Sequence, residues 1–106
     1  METKEPKYNK FIPLKGFSAI NLFGRIYARS EYKPLPERTI NHENIHTAQA
    51  NDFKLRWFAF YAVYLWYWIL RGYDKNPFER DAYDNDFKQR YLSQRERFAW
   101  KKYLNN

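Results

Sequence analysis

The strongest constraint on the fold is a run of fourteen residues without a charge, from Trp57 to Leu70, bounded by Arg56 and Arg71. A helix of this length spans about 21 Å, which is short of the roughly 30 Å of bilayer hydrocarbon. Length therefore favours a buried central helix over a membrane span, and Gly72 predicts where that helix ends. The Trp and Tyr residues of the run also suit a bilayer interface, so contact with a membrane surface or a partner stays open as the alternative.

The two histidines of the sequence, His42 and His46, stand four residues apart in an H-E-x-x-H motif. On a helix both imidazoles share one face and can bind a single metal ion. Glu43 then lies beside the ion, where its carboxylate can accept a proton from water. The stretch from Pro36 to about Asp52 has no Gly and no further Pro, which favours one helix through the motif. The alternative is a surface helix in which two histidines fall at this spacing by chance.

A catalytic zinc site usually has three protein ligands, and this chain has neither a cysteine nor a third histidine. The third ligand must then be a carboxylate. The best candidate is Glu79, close to the start of a second helix that Asn76 and Pro77 predict. Because Asn76 and Glu79 also stand at capping-box spacing, a purely structural cap is the alternative. The reserve candidates are Asp52, Asp81 and Asp84.

These motifs together resemble a known family. The residues from His42 to Gln49 (H-E-N-I-H-T-A-Q) are followed by those from Phe78 to Tyr83 (F-E-R-D-A-Y), with a hydrophobic segment between them. The pattern resembles the gluzincin type of zincin metallopeptidase, over roughly residues 17 to 90. The resemblance implies a zinc-dependent peptidase fold with Zn²⁺ as cofactor. It implies ligand roles for His42, His46 and Glu79, and a general-base role for Glu43.

The leading functional hypothesis is a zinc-dependent hydrolase, foremost a metallopeptidase acting on a peptide or protein substrate. Glu43 would be the general base, and Tyr83 or Arg80 would stabilise the oxyanion. The alternative is a non-catalytic, zinc-stabilised interaction module associated with a membrane through Trp57 to Leu70. A metal site that only stabilises the fold would not need the Glu43 carboxylate, so the presence of Glu43 favours catalysis.

The predicted fold is α+β and mainly α, a zincin-like arrangement of a small N-terminal β-hairpin, the H-E-x-x-H helix, a central aromatic-rich helix and one or two C-terminal helices. Residues 1–15, broken by two prolines, predict an extended arm, and residues 16–106 a single domain. Two apolar runs around Gly24 predict the hairpin, whose edge can bind an extended peptide by strand addition. The glutamate helix is predicted from Asn76 to about Leu92. Its expected core-facing stripe comprises Glu79, Tyr83, Phe87 and Tyr91.

The net charge of +7 raises the question of nucleic-acid binding, because residues 87–106 hold six cations against Glu96. Such a run is more often the solvated face of an amphipathic helix, and no nucleic-acid module is recognisable. Nucleic acid is therefore disfavoured as a partner. The absence of Cys excludes disulfides, and the polar N-terminal residues lack the apolar run of a signal peptide. We expect a cytoplasmic protein, with membrane association as the open alternative.

Overall fold

The computed structural model describes residues 6–12 and 15–104. In this part of the chain, a sheet of three strands precedes four α-helices. The strands are β1 (Lys7–Asn9), β2 (Ala19–Leu22) and β3 (Arg25–Arg29), and the helices are α1 (Glu37–Asn51), α2 (Trp57–Arg71), α3 (Pro77–Asn85) and α4 (Tyr91–Gln94). Two 3₁₀ turns occupy Ser30–Tyr32 and Ala99–Tyr103. The predicted α+β, mainly helical fold class is confirmed.

The sheet has the order β1-β3-β2, so β2 forms one edge. β2 and β3 pair antiparallel, as the hairpin prediction requires, and their turn consists of Phe23 and Gly24. Both turn residues have positive φ, 52° and 92°, as in the type I′ turns that suit the twist of a hairpin. β1 pairs parallel to β3, which the sequence did not predict. Residues 1–5 and 13–14 of the predicted arm lie outside the described residues.

The helix α1 matches the predicted span closely. Pro36 precedes it as the N-cap residue. The edge strand β2 packs against the middle of α1, because the Asn21 side-chain amide donates to the Glu43 carbonyl oxygen (2.5 Å) and to Thr47 Oγ1 (2.8 Å). Asn21 therefore fixes the sheet edge beside the H-E-x-x-H turn.

The helix α2 has the predicted bounds, and Gly72 ends it with a φ of 80° and an N–H bond to the Trp68 carbonyl (2.8 Å). The prediction that α2 is a buried central helix is wrong. Of its fifteen residues, all within the described part, Phe60 alone is buried. The protein packs against one side of α2, and a chain of this size leaves the opposite side exposed. Among the described residues, no helix combines the length and the hydropathy needed to cross a membrane.

Aromatic rings join the helices. Phe78 of α3 lies 4.9 Å from the Phe60 ring of α2 and 4.4 Å from the Trp100 ring, measured between centroids. Phe53, just after α1, stacks on Trp100 at 5.7 Å. Offset and edge-to-face ring pairs of this kind add to the free energy of burial. The cluster fixes α1, α2 and α3 relative to one another, and thus the residues they carry.

The helix α3 ends at Asn85, earlier than the predicted Leu92. The predicted core stripe is wrong at Tyr83 and Phe87, which are exposed. The side chain of Asn85 bonds back to the Asp81 carbonyl (2.8 Å), and Asp86 turns toward α1, so the chain leaves the helical path there. The C-terminal part forms the short helix α4 and a 3₁₀ turn.

Candidate metal centre

Three buried side chains converge between α1 and α3. The Nε2 atoms of His42 and His46 lie 3.0 and 3.1 Å from the same oxygen, Glu79 Oε1. The ligand atoms of the three residues all lie within 4.8 Å of one another. A tetrahedral zinc with bonds of about 2.0–2.1 Å separates its ligand atoms by about 3.3 Å. These residues therefore stand at metal-ligand spacing and could hold a metal ion.

The Nδ1 atom of each histidine, on the side of the ring away from Glu79, already has a hydrogen-bond partner. His42 Nδ1 donates to Asp86 Oδ2 (2.9 Å), and His46 Nδ1 donates to Gln49 Oε1 (2.8 Å). The orientation of Gln49 is fixed because its amide nitrogen donates to Phe78 O and Asp81 Oδ2, both at 2.9 Å. With hydrogen on both Nδ1 atoms, each neutral ring presents a lone pair at Nε2.

Two lone pairs thus face a carboxylate oxygen in a buried site. Buried acceptors that face one another are costly unless a proton or a cation lies between them. One divalent ion would satisfy all three atoms, so the donor set fits a metal.

The electrostatics of the site follow from this convergence. Burial disfavours the imidazolium form of His46, but the charge and hydrogen bond of Glu79 outweigh it and raise the pKa of His46 to about 9. Burial alone would raise the pKa of Glu79. The charge of His46 and the hydrogen bonds from His42, His46 and Tyr64 outweigh burial, so they hold the pKa of Glu79 far below its usual value. The triad therefore attracts positive charge strongly.

Glu79 acts within this cluster and not as a helix cap. The Asn76 side chain accepts from the Phe78 N–H (2.9 Å), which is the predicted cap, while the Asn76 N–H donates to the Tyr73 carbonyl (3.2 Å). In a capping box the Glu79 carboxylate would accept from the Asn76 N–H. Here that N–H bonds to Tyr73 instead, and the Glu79 carboxylate contacts the two histidines. Glu79 therefore belongs to the group of residues that could hold a metal ion, and Asn76 alone makes the cap.

Tyr64 of α2 fixes the orientation of Glu79 by donating its hydroxyl hydrogen to Oε2 (2.5 Å). Burial, then the nearby carboxylate, raises the pKa of the Tyr64 hydroxyl well above its usual range, so the hydroxyl keeps its proton. Outer hydrogen bonds of this kind orient a metal ligand and tune its basicity.

We expect Tyr64→Phe to weaken metal binding about tenfold or more, because Glu79 loses the bond that orients it. Zinc titration against a competing chelator measures this change. The matched control is Tyr67→Phe, the same substitution on the same helix at a residue whose ring lies against Arg71. Equal affinity in the two variants would contradict a role for the Tyr64 hydroxyl.

Asp86 fixes the orientation of His42. One carboxylate oxygen accepts from the His42 ring, and the other accepts from Arg38 Nε (2.5 Å). Asn41 adds a bond from its side-chain amide to the Asp86 carbonyl oxygen (2.7 Å). The carboxylate–histidine pair is the common way to hold a ligating imidazole in one tautomer.

We expect Asp86→Asn to lower metal affinity about 10- to 100-fold, because an amide no longer supports the basicity of His42. The same chelator competition measures it, with Asp74→Asn at an exposed position as the control. An unchanged affinity would show that Asp86 only links α1 to the end of α3.

The triad lines one wall of a cavity of about 810 Å³. Glu43 lines the same cavity, beside the edge strand. Burial, against the opposing effect of the two histidines, raises the pKa of the Glu43 carboxyl. The predicted general base therefore lines the same cavity as the three residues that could hold a metal.

The two residues predicted to stabilise an oxyanion lie in different places. Tyr83 lines the cavity, its ring 4.4 Å from that of His42, and its hydroxyl is 2.8 Å from the Tyr73 hydroxyl. The Arg80 guanidinium lies over the Tyr103 ring at 5.1 Å and is not among the residues that line the cavity. Tyr83 is at the candidate site, and Arg80 is not.

The reserve carboxylates are engaged elsewhere. Asp52 forms a buried pair with Arg95 (2.7 and 3.0 Å), which ties the end of α1 to the C-terminal segment. Asp81 accepts from Gln49 and from the Tyr91 hydroxyl. Asp84 is exposed and pairs with the Tyr103 hydroxyl. The cluster that could hold a metal comprises His42, His46 and Glu79.

Four residues of the site were not predicted from the sequence: Asp86, Tyr64, Tyr73 and Asn21. One of them had a readable signal, because Asp86 follows Glu79 by seven residues, two helical turns further along the same face. Tyr64 and Tyr73 are two of ten tyrosines, and only the tertiary fold distinguishes them.

Comparison with known proteins brings no match. No family model matches the chain, and no curated protein and no solved structure shows significant similarity to it. The resemblance to gluzincins therefore stays a prediction, and function must be argued from the site itself.

Proposed function

We propose that the protein is a zinc-dependent hydrolase that cleaves peptides. The observation that carries this proposal is the meeting of two histidine lone pairs and a carboxylate oxygen at 3.0–3.1 Å on the wall of a cavity. Two imidazoles and a carboxylate are a typical catalytic zinc set that leaves a fourth position open. A bound zinc would supply Lewis acidity, polarising a carbonyl and lowering the pKa of water.

The remaining chemistry belongs to the side chains around the cluster. Glu43 takes a proton from the attacking water and delivers it to the leaving amine. A carboxyl whose pKa is raised by burial is better matched to this work near neutral pH than a solvated one. His42 and His46 keep their orientation throughout because Asp86 and Gln49 hold their Nδ1 atoms.

Tyr73 and Tyr83 would assist at the oxyanion. Their hydroxyls share one hydrogen bond at 2.8 Å, so one hydrogen remains free to donate elsewhere. Burial, then the bond to Tyr83, raises the pKa of the Tyr73 hydroxyl well above its usual range, so it stays a donor. A neutral phenol at the lining of this cavity suits developing negative charge.

The edge strand suggests how a substrate would lie. Residues 17–22, which include all of β2, line the same cavity as His42, His46 and Glu79. An extended peptide could pair with the free edge of β2 through main-chain hydrogen bonds. The aromatic walls contributed by Trp57, Phe60 and Tyr61 favour apolar side chains in the substrate.

A second candidate function is a non-catalytic metal module, in which the ion only ties α1 to α3. The burial of all three ligand residues favours it. The presence of Glu43, Tyr73 and Tyr83 on the same cavity favours the hydrolase, because a purely structural site gives these polar groups no task.

The decisive experiment has two steps. Elemental analysis of the purified protein after dialysis is expected to show one zinc per chain. The zinc-loaded protein, incubated with an unbiased peptide library, is expected to cleave it, and a chelator should abolish cleavage. Zinc retention without any cleavage would favour the structural module, and failure to bind zinc at neutral pH would reject both.

A further inference from the structure

One side of α2 is an apolar surface on the outside of the protein. Phe58 and Ile69 are 79% and 72% exposed. The exposed large residues, here called the α2 face, are Phe58, Leu65, Trp66, Trp68, Ile69 and Leu70. At 100° per residue they occupy an arc of roughly 200° that holds no charged residue. Soluble proteins rarely expose a contiguous apolar surface of this size without a partner.

The hairpin tip adds a further ring beside this helix. Phe23 is 68% exposed, and its ring packs edge-on against Trp57 (6.2 Å) and Tyr61 (5.3 Å) of α2. Its φ of 52° is a conformation that Asn or Gly adopts more easily than Phe. A small polar residue would suit this turn better if the tip only faced water. The position of Phe23 therefore indicates a surface that receives apolar groups.

The charge around this surface distinguishes between two possible binding partners, a second copy of the chain and a lipid bilayer. Residues 53–73 contain three cations, Lys54, Arg56 and Arg71, and no acid, and Arg25 follows the hairpin turn. The whole chain carries +7. A second copy would bring the same positive charge to the contact, whereas anionic lipid headgroups complement it.

We propose that the α2 face and Phe23 bind the surface of an anionic bilayer. One side of α2 is packed on the aromatic core, so the helix would lie along the membrane plane with its free side at the headgroup boundary. Trp, Phe and Leu favour that depth, and flanking Lys and Arg side chains can reach the phosphates. This binding needs neither metal nor catalysis, so it stands or falls separately from the proposed hydrolase.

Vesicle cosedimentation with the full chain tests the proposal. We expect binding to phosphatidylcholine vesicles that contain about one third phosphatidylserine, weakening with salt, and little binding to phosphatidylcholine alone. Phe58→Gln combined with Ile69→Gln should reduce binding by at least about tenfold. Phe87→Gln is the matched control, because Phe87 is 60% exposed but lies at the end of α3.

Tryptophan quenching by brominated lipids adds a depth readout, since Trp66 and Trp68 should be quenched on binding. Replacing Arg25 and Lys54 together by Gln should reduce the salt dependence, while Arg90→Gln should leave it unchanged. All these positions are exposed, and circular dichroism checks that each variant folds. The proposal is overturned if anionic vesicles do not bind or if the Phe58/Ile69 variant binds equally. It is also overturned if sedimentation shows a dimer that this variant dissociates.

Discussion

Replacing His46 by alanine is expected to abolish the stabilisation of the protein by zinc. In the intact chain, zinc at a thousand times its dissociation constant should add about 4 kcal/mol to the free energy of unfolding. For a domain of this size each kcal/mol raises Tm by about 4–8 °C. The variant leaves only His42 and Glu79 as ligands, too few for tight binding. Thermal unfolding with and without zinc, measured on the same variant, separates metal binding from the cost of the cavity that alanine leaves.

Asn44→Ala is the control for that experiment. Asn44 is buried on the same helix, and its side chain bonds to the Ile40 carbonyl (2.9 Å), away from the ligands. Its replacement should lower Tm in the absence of zinc and keep the zinc-induced rise. If His46→Ala also keeps that rise, the three-residue centre is wrong.

The helices were predictable because their signals are local. The span of α1 follows from a stretch without Gly or Pro, and Gly72 marks the end of α2 by its positive φ. The burial of α2 was not predictable, because composition shows that a helix is apolar and does not show which of its sides the rest of the chain covers. The length of α3 was missed for a similar reason. The helical spacing of apolar residues continues to Tyr91 in the sequence. The helix nevertheless ends at Asn85, where the chain turns and Asp86 reaches His42.

The three residues that could hold a metal were predictable from the sequence, whereas the residues that orient them were not. His42 and His46 are set by helix geometry, and Glu79 by the short supply of other donors. The role of Tyr64 depends on how closely α2 approaches α3, which no spacing within one helix reveals. The same holds for Asn21, which reaches Glu43 across 22 residues of sequence.

Glu43→Gln is expected to leave zinc binding and stability close to those of the intact protein while lowering peptide cleavage by about 10²–10⁴-fold. Glutamine keeps the size of the side chain and its hydrogen-bonding reach, but it cannot accept a proton near neutral pH. Glu43 is not one of the three converging ligands, so the metal should remain. Initial rates on a peptide identified from the library, together with zinc content and Tm for each sample, measure the three quantities side by side.

The control is Glu37→Gln, the same substitution at an exposed position in the first turn of the same helix. It should change neither rate nor zinc content. A Glu43→Gln protein that loses zinc along with activity would mean that Glu43 holds the ion directly. One that keeps both zinc and full activity would mean that another group takes the proton. Only the separation of the two quantities, zinc retained and cleavage lost, assigns proton transfer to Glu43, because a ligand or a purely structural residue cannot produce it.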